Sequence, residues 1–330
     1  MKKLFLLIVL FLFFSCEKKS SNASFYYWRT QFDLSKEENE ILQSNEVKKL
    51  YVRYFDVALA NNQPFPLAPI HFLDKKVNQE IIPVVFIKNE IFLSKSVDLN
   101  DLKDKILGLI DQINKSNNIK DKEIQIDCDW SLQSRDRYIQ FLTLIKKEYK
   151  KTISVTIRLH QIKYFKETKV PPVDYGVLMF YNMGQLTANG TNSIYDKNIA
   201  VNYIYHLKNY PLKLKIALPI FSWYVHSRDG KVINLLSKLD KRKFENNPCF
   251  EISTSTISVK KNTLFNGFFF KKNDKLRLEE ITENDLDEMK ELLQNKLPYK
   301  PEEIIFYDLN TKNLKNYTNE FFFKTFTADF

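Results

Sequence analysis

Strand-like and helix-like segments alternate along most of this chain of 330 residues. The strand-like segments are short apolar runs, and the helix-like segments place apolar residues three or four positions apart. This alternation is typical of parallel strands connected by helical crossovers. The eight segments predicted as strands are 25–30, 50–57, 81–87, 123–131, 153–159, 175–181, 212–221 and 304–307.

Eight strands with intervening helices predict an α/β fold, a (β/α)₈ TIM barrel that spans residues 24–330. An open doubly wound sheet is the alternative architecture. That architecture commonly carries a glycine-rich phosphate-binding turn, and the six glycines of this chain form none. The predicted helices are 36–49, 99–114, 134–149 with Ser134 as its cap, 193–208, 283–295 and 309–323.

The alternation breaks after the seventh predicted strand. Residues 251–259 and 264–271 are predicted as antiparallel strands joined by a Lys-Asn turn, and a helix follows them. We therefore place a small α+β insertion at about residues 245–298.

The first 15 residues are predicted to be a signal segment rather than part of the fold. Lys2 and Lys3 precede an apolar run over 4–14, which is shorter than the ~20 residues of a spanning helix. Residues 13–16 (FFSC) resemble a bacterial lipobox, which implies a lipid such as palmitate on Cys16 and a tether over 16–23. The chain would then be anchored in the bacterial cell envelope, at the outer membrane or the periplasmic face. An ordinary signal peptide is the alternative.

The charge and the metal-binding residue types exclude several classes of partner. The formal net charge is +10, but the lysines are spread along the chain and form no basic stripe with interleaved aromatic residues. This argues against nucleic acid as a partner. The four histidines and three cysteines show no metal-ligand spacing, so we predict no metal and no cofactor.

Two aspartates at the end of the fourth predicted strand are the main candidates for chemistry. Asp127 and Asp129 are two residues apart, so both side chains point to the same side of the strand. Close carboxylates at the end of an apolar strand are costly unless they have partners or a function. We predict catalytic roles for Asp127 and Asp129, with Asp56 as a partner.

Other polar and aromatic side chains follow the predicted strands, where the active site of a TIM barrel lies. Acids, arginines and aromatic rings at one mouth suit a flat polar ligand such as a sugar. The alternatives are ion pairs that only neutralise the barrel end, and packing roles for the aromatic residues and the histidine. The predicted substrate-binding residues are Arg29, Arg53, Trp130, Arg158, His160, Tyr181, Asn182, Trp223 and Tyr224.

Two short motifs resemble glycoside hydrolase family 18, the chitinase-like barrels. Residues 127–131 (DCDWS) are similar to the end of its strand-four signature D-x-x-D-x-D-x-E, and residues 179–182 (MFYN) to its strand-six M-x-Y-D. Many members also carry an α+β insertion after strand seven. Residues 134–138 (SRDRY) further resemble an uncharacterised bacterial branch of this superfamily. The resemblance implies a TIM barrel with a glycan site at its mouth.

The sequence departs from the family signature at the positions that matter for catalysis. Ser131 stands where the family has its general acid, Ile124 replaces the first aspartate, and Asn182 replaces the strand-six aspartate. A serine cannot protonate a leaving oxygen as a carboxylic acid does.

Three hypotheses for the function therefore remain. The chain is a glycoside hydrolase with a non-standard acid, or it binds a glycan or another polar polymer without catalysis. The third is a structural or interaction protein of the envelope.

Overall fold

The computed structural model describes residues 20–330 except 74–76, 238, 240 and 318. The predicted signal segment and the predicted lipid attachment at Cys16 lie outside the described residues. In the part that is described, no helix is both long and apolar enough to cross a membrane.

Eight parallel strands close into a barrel, which confirms the predicted fold class. Each strand pairs with the next, and the first strand pairs with both the second and the eighth. The strands are β1 Asn22–Tyr27, β2 Lys49–Ala60, β3 Glu80–Ile87, β4 Glu123–Asp127, β5 Thr152–Arg158, β6 Tyr175–Met179, β7 Leu214–Pro219 and β8 Glu303–Tyr307. A short strand, Gln63–Leu67, adds an antiparallel edge to β2.

Helices follow most strands and cover the outside of the barrel. The longest, Leu99–Asn117, begins where Asp98 accepts hydrogen bonds from two backbone N–H groups and ends at Asn118 in the left-handed conformation. The helices are α1 Lys36–Ser44, α2 Glu90–Leu93, α3 Leu99–Asn117, α4 Arg135–Glu148, α5 Leu159–Lys163, α6 Phe165–Thr168, α7 Lys197–Ile204, α8 Glu283–Gln294, α9 Thr311–Leu314 and α10 Phe322–Ala328.

Several helices differ from their predicted bounds, among them α1, which ends at Ser44 rather than at residue 49. Asp196 caps α7 by accepting from the N–H groups of Asn198 and Ile199, so this helix begins after the predicted residue 193. The predicted helix 309–323 is two separate helices, α9 and α10.

The insertion is a five-stranded antiparallel sheet that starts directly after β7, at Trp223, ahead of residue 245. Its strands in spatial order are Lys231–Leu236, Trp223–Arg228, Lys275–Glu279, Thr256–Val259 and Phe250–Ile252. Sequence reasoning assigned Trp223 to the end of the seventh strand, because no polar loop separates it from β7 in sequence.

The predicted pairing of 251–259 with 264–271 is wrong, because each of these segments forms its own hairpin. Phe250–Ile252 pairs with Thr256–Val259, and Thr263–Phe265 pairs with Phe268–Phe270. The second hairpin turns at Asn266 and Gly267, which have φ of 48° and 80°. Asn-Gly is the preferred pair for a two-residue turn in which both residues have positive φ. This hairpin therefore turns at Asn-Gly and not at the preceding Lys-Asn pair.

A buried polar network lies inside the barrel, at the end where the strands begin. The Lys215 ammonium is ion-paired with Glu303 and lies 3.0 Å from the Tyr51 hydroxyl and 2.8 Å from that of Tyr175. Tyr175 also donates to Glu123. Burial raises the pKa of Glu303, but the charges of Lys215 and Lys49, together with the hydrogen bonds from Lys215 and Ser24, hold that pKa below its usual value.

We predict that Lys215→Met lowers the free energy of unfolding by about 3–5 kcal/mol, because it leaves the buried Glu303 charge uncompensated. Denaturant unfolding measures this change. The control is Lys213→Met, which removes an exposed lysine paired with Glu302 and should cost less than about 1 kcal/mol. Equal losses in the two variants would contradict the role given to Lys215.

Candidate functional site

Aromatic rings form a continuous floor at the mouth of the barrel. The centre is Tyr307, whose ring centroid lies 5.7 Å from Trp28, 5.4 Å from Tyr181 and 5.7 Å from Phe221. Phe221 in turn lies 5.1 Å from Trp223. We call these five residues the aromatic floor.

Parallel strand geometry explains why these rings meet. Trp28 directly follows β1, Tyr307 ends β8, and Tyr181 and Phe221 come two residues after β6 and β7. The carboxyl ends of all eight strands lie at one end of the barrel, so residues distant in sequence become neighbours there. Sequence reasoning found Tyr181 and Trp223 but missed Trp28, Phe221 and Tyr307.

A cleft of about 570 Å³ lies over the aromatic floor. Trp28, Trp223 and Tyr307 are half-buried, so each presents part of its ring to this cleft. Polar groups surround the rings. The cleft is lined by Trp28, Arg29, Asn182, Phe221, Ser222, Trp223, Ser237, Tyr307, Asp308, Asn310, Lys312 and Asn313.

The insertion forms one wall of the cleft and holds Trp223 in place. Glu279, at the end of an insertion strand, accepts from the Trp223 indole N–H at 2.8 Å. The same carboxylate accepts from the backbone N–H of Ser193 at 3.1 Å and pairs with Arg277. Because Glu279 is buried and fully engaged, the Trp223 ring has a defined orientation at the cleft.

Asp308 is a carboxylate of the cleft that sequence reasoning missed. It directly follows β8, and its Oδ1 accepts from the Asn313 side-chain amide at 2.6 Å. Burial raises the pKa of Asp308 to about 6, although the nearby Arg29 charge acts in the opposite direction. Asp308 therefore titrates close to neutral pH, and it lines the cleft.

The two predicted aspartates of β4 occupy different environments. Asp127 is buried and accepts from the Thr156 hydroxyl at 2.6 Å, and burial raises its pKa to about 6 against the opposing charge of Arg158. Asp129 is exposed, and its Oδ1 accepts from Arg158 Nε at 2.6 Å. The charges of Asp129 and Asp56 also raise the pKa of Asp127.

The predicted catalytic partner Asp56 is tied to a buried arginine. Arg53 Nε donates to Asp56 Oδ1 at 2.7 Å, and Arg53 also donates to the Ala68 carbonyl at 3.0 Å. A register shift in β2 between Arg53 and Phe55 accompanies this arrangement. The contacts fit the alternative that the sequence left open, an ion pair that holds the barrel end.

Ser131, at the position of the family's general acid, belongs to a polar turn. Its hydroxyl lies 3.3 Å from both the Asn89 amide and the Ser134 hydroxyl. Ser134 was predicted to cap α4, but its side chain makes no capping bond and binds Asn89 instead. This turn therefore brings no carboxylic acid to the position.

Two predicted aromatic ligands pack in hydrophobic cores. Trp130 is buried and stacks on Tyr138, with the ring centroids 5.5 Å apart. Tyr224 is buried in the core of the insertion, 5.6 Å from Phe244. Neither ring belongs to the aromatic floor.

The remaining predicted ligands lie around the mouth. Asn182, exposed and in the left-handed conformation, lines the cleft. Arg29 also lines it, lies over the Tyr27 ring and pairs with the buried Glu38 at 2.7 Å. His160 is exposed next to Arg158, and partial burial together with the Arg158 charge lowers its pKa.

Across the described ranges, no group of three or more His, Cys, Asp or Glu residues is arranged to hold a metal ion.

Solved structures share this architecture over nearly the whole chain. The spore cortex-lytic enzyme SleL of Bacillus megaterium QM B1551 is 14% identical with a TM-score of 0.58, covering 95% of this chain and 75% of that one. A mutant GH18 chitinase from Cycas revoluta in complex with (GlcNAc)4 is 10% identical with a TM-score of 0.52, covering 94% and 99%. The chain has the chitinase-like GH18 barrel fold.

These structural likenesses confirm the fold that the resemblance of the two motifs implied. The SleL enzyme of Bacillus cereus shows the same relation, with 12% identity, a TM-score of 0.57 and coverage of 95% of this chain and 75% of that one. No family model matches the sequence, and no curated protein matches it either.

Proposed function

We propose that this chain binds a glycan containing N-acetylglucosamine in the cleft over the aromatic floor. The observation that carries the proposal is the floor itself, with three half-buried rings that line one cleft. Aromatic side chains supply large, rigid and partly apolar contact area, and sugar rings have flat apolar faces that fit it. Asn182, Asn310 and Asn313 line the same cleft and offer amides to hydroxyl or acetamido groups.

The solved neighbours support this choice of ligand. The Cycas revoluta chitinase is in complex with (GlcNAc)4, and a class V chitinase mutant from Nicotiana tobaccum, with a TM-score of 0.51, is in complex with NAG4. Binding does not need the family's general acid, so the serine at position 131 is compatible with this function.

We predict that Trp28→Ala and Trp223→Ala each weaken binding of an N-acetylglucosamine tetramer by about 5- to 30-fold, the range for loss of a central aromatic contact. Titration calorimetry measures the affinity. The control is Tyr205→Ala, which removes a ring that is 72% exposed outside the cleft and should leave affinity unchanged. Equal affinities of all three variants and the original chain would contradict the proposed site.

The proposed location is the cell envelope, through a lipid on Cys16. Its support is the lipobox-like sequence at 13–16 and the polar tether that follows. We expect Cys16→Ala to abolish incorporation of a labelled fatty acid into the protein in a bacterial host. Unchanged labelling would contradict lipid attachment at this cysteine.

Glycoside hydrolysis is a second candidate function, favoured by the position of Asp308. A general acid must hold a proton near neutral pH and reach the substrate. Asp308 lines the cleft, and its pKa of about 6 meets the first condition. In this candidate, the acetamido oxygen of the substrate attacks the anomeric carbon while the glycosidic bond breaks, and Asp308 protonates the leaving oxygen in place of the missing glutamate. Water then opens the cyclic intermediate and returns a proton to Asp308.

We predict for this second candidate that Asp308→Asn lowers turnover of the tetramer by at least about 100-fold while affinity is retained. The turnover number of the original chain should fall as pH rises above about 6, because Asp308 then loses its proton. Product analysis across pH measures both effects. A chain that binds the tetramer without turnover excludes hydrolysis and leaves the binding function intact.

A further inference from the structure

The face of the barrel opposite the cleft is rich in lysine. In a parallel barrel, the loops that precede the strands all lie at the end where the strands begin. Exposed lysines occur in most of these loops of the described chain. They include Lys48 before β2, Lys120 and Lys122 before β4, Lys150 and Lys151 before β5, and Lys300 before β8. We call this surface the lysine face.

A shallow depression of about 480 Å³ lies on the lysine face between the loops that lead into β4 and β5. Four lysines and two aspartates line it. Lys151 pairs with Asp121 at 3.0 Å, and Lys146 pairs with Asp174. Of the two remaining lysines, Lys122 pairs with Glu80 at 3.7 Å, so Lys150 gives the depression its excess of positive charge.

Several lysines of this face form no close ion pair among the described residues. Lys48, Lys120, Lys147 and Lys300 are exposed, and the ion pairs of the described chain do not include them. Such charges are available to an anionic surface placed against this end of the barrel.

The N-terminal segment leaves the fold at the same face. Ser21 Oγ donates to the Pro301 carbonyl at 2.6 Å, and the Asn22 N–H donates to the Glu302 carbonyl at 3.0 Å. These bonds hold the start of β1 beside the loop that carries Lys300. A lipid on Cys16 would therefore enter a membrane only a few residues from the lysine face.

We propose that the lysine face docks on an anionic lipid surface, with the glycan cleft turned away from the membrane. This inference extends the lipid attachment proposed above. A lipid on Cys16 would hold the chain at the membrane, and a basic surface beside it adds attraction to anionic headgroups and determines which face meets them. The same geometry leaves the mouth of the barrel open to a polymer outside the membrane.

The test compares two triple variants of the full chain. Lys120, Lys147 and Lys150 are changed to Gln in one, and Lys261, Lys272 and Lys275 of the insertion in the other. Both lose three exposed lysines, so their net charges remain equal. Binding is measured by sedimentation with two kinds of vesicle. One is phosphatidylcholine alone, and the other also contains about 30% of the anionic lipid phosphatidylglycerol.

We expect the first variant to lose affinity for anionic vesicles by on the order of 100-fold at low salt, and the insertion variant by much less. High salt should remove the difference, because it screens surface charge. Equal losses in both variants, or no preference of the original chain for anionic vesicles, would overturn the proposal.

A second measurement tests the orientation. Vesicle-bound protein should bind the N-acetylglucosamine tetramer with the affinity of free protein, because the cleft and the lysine face lie at opposite ends of the barrel. Competition between vesicles and tetramer would overturn the orientation. The vesicle comparison needs no glycan, so a failure of the free chain to bind the tetramer contradicts only the proposed glycan function.

Discussion

The pairing of β1 with both β2 and β8 is the constraint on which both functional faces depend. Phe25 lies in register with Leu50 on one side and with Phe306 on the other, which closes the barrel. Because all eight strands are parallel, closure gathers their carboxyl ends at one mouth and their amino ends at the opposite face. Closure of the parallel barrel therefore produces both the aromatic floor at the mouth and the lysine face at the opposite end.

Tyr307 is both the centre of the aromatic floor and the neighbour of Asp308 in the chain. Burial raises the pKa of Tyr307, and the charges of Asp308 and Asp127 raise it further, which places its ring near both carboxylates. Asp127 is buried beneath the mouth, whereas Asp308 lines the cleft. Asp127, the buried member of the pair that stands out in sequence, is thus less accessible than Asp308, which does not stand out.

The barrel was predictable from sequence because its strands are apolar runs with clear limits. The predicted ends of β4 and β5 lie within a few residues of the observed ends. The alternation of strand-like and helix-like segments predicted the fold class without any motif. The insertion was harder to predict, since Trp223 follows β7 with no polar break and the Asn-Gly turn competed with a nearby Lys-Asn pair.

The site was only partly predictable for a different reason. Aromatic residues such as Trp28 and Tyr307 have the same sequence signature whether they line a cleft or fill a core, as Trp130 does. Their exposure depends on how eight strand ends meet, and no single segment carries that information. Charged residues were easier to find at the mouth, yet Arg53 and Asp56 proved to be paired with each other.

A crystal structure of the chain with a bound N-acetylglucosamine tetramer is the decisive test of the glycan site. We expect a sugar ring over Tyr307, flanked by Trp28 and Trp223, with Asn182 or Asn313 in hydrogen-bonding distance of its polar groups. An empty cleft at saturating tetramer, or a tetramer bound away from these three rings, would contradict it.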